Sequence, residues 1–161
     1  MTIAEPEHPN VARVRAHAAV HGLDLQVKRF AASTRTAEDA AREIGTTVER
    51  IVKSLVFDGA GEAVVVLCSG ASRVDQGKLA AALGVPSVRR ATADEAKQAT
   101  GYAIGGVPPF GHPAPLRVLL DEGLLRFDEV WAASGLPDAV FPIDPRDLLR
   151  VSGATVVSVA E

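Results

Sequence analysis

Apolar positions recur along the chain with two alternating periods, and the switches between them mark out the elements. Val11, Val14 and Ala18 stand at helical spacing, which predicts a helix over 9–21 with Gly22 as its stop. LQVKRF, residues 25–30, alternates and predicts a strand. Thr36 followed by Asp39 resembles a capping box and opens a short helix with Ala37, Ala40, Ala41 and Ile44 inward, closed by Gly45. IVKSLVF (51–57) and AVVVLCS (63–69) predict two strands joined as a hairpin through DGAGE. The unbroken VVVL run predicts a strand covered on both faces.

Asp75 caps a predicted helix that runs to Leu83 and stops at Gly84, and Thr92 caps another over 93–100 that stops at Gly101. Strands are predicted at 117–121 and 129–133, then a turn at SGLPD and a strand at 139–143. Asp144-Pro145 reads as an N-cap with proline at the first helical position, leading a helix to about residue 151 and a last strand over 155–159. The predicted class is α/β of the mixed, α+β-like kind, with several helices packed on a largely antiparallel mixed sheet. A chain of 161 residues, 47% apolar, supports one core, so residues 1–161 are expected to form a single domain.

Composition narrows the function. A net charge of −3 argues against coating nucleic acid by bulk electrostatics, though not against a local site for one nucleic-acid end. Aromatic residues make up only 4% of the chain, too few for a broad base-stacking platform. The lone Cys68 has no internal disulfide partner, and no CxxC or Cys/His cluster suggests zinc. MTIAEPEHPN lacks the order of a secretory signal, and no apolar run approaches membrane-spanning length, so a cytoplasmic protein is expected.

Lys53 shares a strand face with Ile51, Leu55 and Phe57, which sets an ammonium among core residues. It reads either as an edge lysine reaching to water or as the holder of an anionic ligand. GGVPPFGH, residues 105–112, is a shaped loop whose N–H groups at Gly105, Gly106 and Val107 suit an oxyanion, or else a rigid crossover with Phe110 plugged into the core. His112 is a candidate acid/base or ligand-binding group, or an exposed turn residue. His17 and His21 sit at i, i+4 without an evident third metal ligand, and solvent-facing histidines near a helix end are the simpler account. Cys68 reads as a buried packing residue, and no GxSxG, Walker, GxGxxG or HExxH motif occurs.

IVKSLVF, RVDQGKLAAALG, ATGYAIGGVPPFGH, VWAASG and DPRDLLRVSGA, in that order, resemble the YbaK/EbsC family from about residue 25 onward. This family comprises free-standing aminoacyl-tRNA deacylases and the editing insertion domain of bacterial prolyl-tRNA synthetases. The resemblance implies hydrolysis of the ester on a mischarged tRNA, chiefly tRNA for proline carrying alanine, 2-aminobutyrate or cysteine. Lys53 would anchor the terminal adenosine phosphate, and the backbone of the loop from Gly105 to Pro109 would face the aminoacyl carbonyl. Water, aided by the ribose hydroxyl and backbone groups, would be the nucleophile, with no metal or organic cofactor.

The expected site is Lys53, Gly105 and Gly106 at the reacting ester. Phe30, Ser54, Val107, Pro108, Pro109, Phe110, Gly111, His112, Ser134, Gly135 and Val140 are expected around the substrate. Relatives often carry a polar or histidine residue where this chain reads Ala139-Val140-Phe141, which suits a small aliphatic or thiol side chain. The implied partner is the tRNA acceptor end, presented transiently by prolyl-tRNA synthetase or an elongation factor, with neither DNA nor membrane involved. Lys28, Arg29, Arg35 and Arg73 are candidates for local charge. Two other readings stand beside it: a non-catalytic module that binds tRNA or an aminoacyl nucleotide, and a small-molecule hydrolase using Cys68 and His112.

Overall fold

A computed structural model describes residues 7–30 and 36–161. Arg35 and the first six residues lie outside the described residues. Helix α1 (Pro9–Val20) buries Val11, Val14 and Ala18, the stripe that its spacing predicts. Helix α2 (Ala37–Ile44) begins where the Thr36 hydroxyl accepts from Asp39 N–H, and it ends on Gly45 in the left-handed region. Asp75, Thr92 and Asp144 cap α3 (Gln76–Leu83), α4 (Ala93–Thr100) and α5 (Pro145–Ser152) in the same way. These starts depend on side chains within three residues of the helix, which is why the sequence pattern locates them.

Strands β2 (Val52–Gly59) and β3 (Glu62–Ser69) form the expected antiparallel hairpin. Asp58-Gly59, expected in the connection, instead ends β2, and the two-residue turn is Ala60-Gly61, both with positive φ. A Cβ at Gly59 would lie 3.2 Å from the tip of the Leu83 side chain of α3. Strand β4 (Val88–Arg90), which the pattern does not predict, pairs antiparallel with β2 at Phe57 to Gly59. Strands β5 (Arg117–Asp121) and β8 (Thr155–Val157) add in parallel beyond β3, giving the order β4-β2-β3-β5-β8.

The expected single sheet is divided. A second, antiparallel sheet has the order β1-β7-β6, from β1 (Lys28–Arg29), β7 (Ala139–Ile143) and β6 (Val130–Ala133). The strand expected over 25–30 is reduced to two residues, Lys28 and Arg29, which pair with Val140 and Ala139 of β7. A parallel bridge between Ile51 and Trp131 joins the two sheets.

The main core lies between the sheets. Val65, Leu67, Val118 and Leu120 meet Phe141, Ile143, Val130 and Ala132 there, closed by Val14, Ala18, Leu148 and Val151 from α1 and α5. Val64, Val66 and Leu119 point the other way and pack with Phe57 and Leu79. Strand β3 is therefore covered on both faces, as its continuous apolar run predicts. Among the described residues no helix is long and apolar enough to cross a membrane.

Candidate active site

Strand β2 has an exposed hydrogen-bonding edge, and the site is built along it. Gly70 N–H donates to Ile51 O (2.6 Å) on the β3 side, and Ala91 N–H donates to Val56 O (2.9 Å) on the other. Antiparallel alternation therefore turns the even-numbered backbone groups of β2 away from β3. Strand β4 and the Ala91 that follows it cover this outer edge only at residues 56–59, and the Trp131 bridge covers it only at Ile51. Between these ends the Ser54 backbone looks into a cleft of about 340 Å³.

Lys53, Ser54, Gly105, Val107 and Val140 all line this cleft, so it gathers residues separated by almost ninety positions of chain. Lys53 is half-buried and its Nζ donates to Ser72 O at 2.5 Å. Leu55 and Phe57, its predicted face-mates, pack in the core under α3, while Ile51 packs under α2. Ser54 Oγ is shielded from solvent and has no hydrogen-bond partner. A buried hydroxyl in that state carries a desolvation cost that a ligand can relieve.

The loop behaves differently from its simplest reading. Gly106, expected to offer its N–H to substrate, donates it to Ala103 O (3.0 Å). Gly106 is bare for a packing reason, since a Cβ there would stand 3.0 Å from Leu136 Cα and carbonyl C. Pro108 and Pro109 carry no N–H, and neither Gly105 nor Val107 N–H finds a backbone acceptor among the described residues. Gly105 and Val107, whose N–H groups have no backbone acceptor among the described residues, both line the cleft.

Phe110, Gly111 and His112 lie outside the cleft. Phe110 is in the main core against Phe141, the crossover-loop alternative, and Gly111 packs against Val14 Cα. His112 lines a separate cavity with His17, His21 and Arg150, and its Nε2–H donates to Pro108 O (2.9 Å). That bond ties down the far side of the loop, so His112 supports it from behind. Tyr102, also buried, donates to Gly111 O (2.8 Å) and adds a second tie. Ser134 is fully buried with an unpartnered Oγ, and Gly135 packs on Asn10, whose Nδ2 donates to Gly135 O (3.0 Å). Phe30 is buried at the end of β1, with its N–H on Asp138 O.

Burial holds the His112 imidazolium pKa below its ordinary value, and His17 adds to this, while the bond to Pro108 O opposes it. Because the unfolded value, about 6.5, is the higher one, the unfolded chain binds more protons as pH falls. Stability contributed by neutral His112 is complete above about pH 6.5 and is lost as pH falls through the folded value. His112→Gln, which keeps a donor, is expected to flatten the change in thermal midpoint between pH 7.5 and 5.5; an unchanged slope sinks that assignment.

Burial pushes the Cys68 thiol up to about 11, and Cys68 shares no cavity with His112. A thiol held protonated and enclosed in β3 is a packing group. Of the residues expected to supply charge, Lys28 lies over the Phe30 ring, Arg29 pairs with Asp138, and Arg73 is exposed. Arg90, Ile104 and Trp131 line the cleft without having been singled out by the sequence. Arg90 was hidden because its strand has three residues, too few for a periodic signal.

A family model for the aminoacyl-tRNA editing domain matches residues 31–151. The chain belongs to that family. This editing domain is an aminoacyl-tRNA deacylase of the prolyl-tRNA-related, trans-editing type. It superposes on the crystal structure of a candidate trans-editing enzyme for prolyl-tRNA synthetase with a TM-score of 0.90 and 46% identity, covering 97% of this chain and 99% of that one. It is 28% identical over 126 residues to the multifunctional Ser/Thr-tRNA deacylase ProXp-y of Escherichia coli, covering 74% of this chain and 75% of that protein. It is 34% identical over 92 residues to the proline–tRNA ligase of Thermosipho melanesiensis, covering 57% of this chain but only 16% of the ligase. The fold is that of the superposed structure, and the aminoacyl-tRNA editing that the motifs imply is that of the matched family.

Proposed function

We propose that the cleft along β2 holds the 3′-terminal aminoacyl-adenosine of a mischarged tRNA and that the domain hydrolyses its ester in trans, in the cytoplasm. One observation carries this reading: Lys53, Ser54 with its unpartnered hydroxyl, and Gly105 and Val107 with N–H groups free of backbone acceptors line one cleft. Lys53 binds the phosphate of the terminal nucleotide. The N–H groups of Gly105 and Val107 hold the aminoacyl carbonyl. Water, oriented by the substrate's ribose hydroxyl, adds to the carbonyl carbon and gives up a proton, and negative charge develops on the carbonyl oxygen, which faces those N–H groups. The tetrahedral species then expels the ribose oxygen, which takes up a proton, leaving a free amino acid and a free tRNA end. One well-placed donor of this kind lowers a barrier by roughly 3 to 4 kcal/mol, so positioning and electrostatics supply the catalysis.

The substrate is tRNA for proline carrying a small residue, a reading favoured by the apolar lining at Ala133 and Val140. Alanine, 2-aminobutyrate and cysteine fit that lining; serine and threonine form a second reading, favoured by the unpartnered Ser54 Oγ and by the name of the Escherichia coli relative. The test is deacylation of tRNA for proline charged separately with alanine, 2-aminobutyrate, cysteine and proline, with seryl- and threonyl-tRNA alongside. Hydrolysis of one small ester with prolyl-tRNA spared is expected. Rates on seryl- or threonyl-tRNA that exceed those on alanyl-tRNA and fall with Ser54→Ala select the second reading. Absence of turnover on every ester by folded protein rejects both.

A further inference from the structure

Two adjacent arginines on β4 are treated in opposite ways by the fold. Arg89 is neutralised by Glu95 (2.8 Å) and Asp58 (3.6 Å), and these partners raise its pKa further. Arg90 points to the other face, where its guanidinium lies 5.6 Å from the centre of the Phe57 ring and lines the cleft. Arg90 has no ion-pair partner among the described residues, and neither does Lys53. The chain has 20 aspartates and glutamates, yet none lines this cleft among the described residues. An acidic protein has kept one groove free of carboxylates and given it two cations.

The two charges mark separate positions. Lys53 and Phe57 are four residues apart on β2, roughly 13 Å at strand rise. The Lys53 ammonium is held at one end by Ser72 O, and the Arg90 guanidinium is held at the other by Phe57. Stacking on an aromatic face orders the planar fork before a ligand arrives, which suits it to a phosphate. A ligand with anionic groups spaced along an extended chain matches this layout, and a single-stranded nucleic-acid end has one phosphate per nucleotide.

We propose that Arg90 forms a second phosphate subsite, taking the backbone phosphate of a nucleotide that precedes the terminal one bound at Lys53; this rests on the reading of the cleft as the aminoacyl-tRNA site. Arg90 is then a binding residue for the acceptor strand, remote from the ester. Its contribution appears in affinity for tRNA and in salt dependence.

The test compares wild type, Arg90→Ala and Arg90→Lys on an aminoacyl-tRNA and on the same amino acid esterified to adenosine, which has no phosphate. For Arg90→Ala the ratio of kcat/KM on tRNA to kcat/KM on the adenosine ester is expected to fall about tenfold, mainly through KM. The slope of log(kcat/KM) against log salt on tRNA is expected to shrink by about 0.7, the value for one single-strand phosphate contact, with Arg90→Lys restoring it. An unchanged ratio overturns the proposal, as does equal loss on both substrates, which is the mark of a merely structural role. If wild type hydrolyses neither ester, the deacylase reading fails, and binding of a fluorescent trinucleotide with the tRNA 3′ sequence decides Arg90 separately. Weaker binding by Arg90→Ala than by wild type supports the subsite; equal affinity, or no binding by wild type, overturns it.

Discussion

Lys53→Ala is expected to lower kcat/KM for deacylation about 100-fold while shifting the thermal midpoint by no more than about 4 °C. A charge-assisted hydrogen bond to a phosphate is worth roughly 1.5 to 3 kcal/mol, and each 1.4 kcal/mol is tenfold in rate. The lower figure gives about tenfold, the upper more than 100-fold. The upper end is expected because Lys53 opens into a cleft without carboxylates, where no other described group but Arg90 carries positive charge. Stability changes little because the half-buried ammonium makes a single hydrogen bond, to Ser72 O, and about 1 kcal/mol moves the midpoint of a domain this size by only a few degrees. Lys53→Arg is expected to recover little, since a planar fork replaces a compact point charge seated against a carbonyl. Activity of Lys53→Ala within threefold of wild type, measured on folded protein, removes Lys53 from the mechanism.

Gly106→Ala is the second large effect. A Cβ at Gly106 would stand 3.0 Å from Leu136 Cα and carbonyl C and 3.1 Å from Leu136 N. These are backbone atoms in the turn between β6 and β7, so they cannot swing aside as a side-chain tip would. The loop must retreat by a few tenths of an ångström, and Gly105 and Val107 move with it. A misplacement of 1 Å costs on the order of 10²-fold, so a shift of this size is expected to lower kcat about tenfold. The strain is expected to cost about 1 to 3 kcal/mol of stability as well. Gly105→Ala gives a contrast: its nearest contact would be Pro137 at 3.9 Å, but its φ of +91° strains any L side chain. The measurement is kcat on the best aminoacyl-tRNA together with the unfolding midpoint. Full kcat in Gly106→Ala defeats the view that this packing contact sets the position of the loop.

The caps at Thr36, Asp75, Thr92 and Asp144 and the glycine stops at Gly45, Gly84 and Gly101 were legible because each acts on backbone groups a few residues away. The β2–β3 hairpin and the two-sided burial of β3 were legible for the same local reason. So was the order of motifs that implies an editing domain, since each motif is continuous in sequence.

What the chain does at its site depends on contacts between distant segments, and these only the tertiary structure decided. The exposed edge at Ser54 exists because β4 stops pairing at Phe57 and β6 forms only a single backbone bridge here, from Trp131 to Ile51 just before β2. No residue near Ser54 encodes either limit. Gly106 reads as a glycine left open for substrate, yet its bareness serves the Leu136 backbone, thirty residues on, and its N–H is already taken by Ala103. His112 stands at the end of the same motif but faces a different cavity, since the Phe110 ring must turn into the core between them. Arg89 and Arg90 are chemically identical in sequence, and strand alternation sends one to Glu95 and the other to the cleft. By itself the sequence determined the helices with their caps, the β2–β3 hairpin and the family, because those signals act over a few residues of chain, whereas the short β4 left none. Pairing, edges and charge neutralisation act across the fold, where sequence separation carries no information about distance.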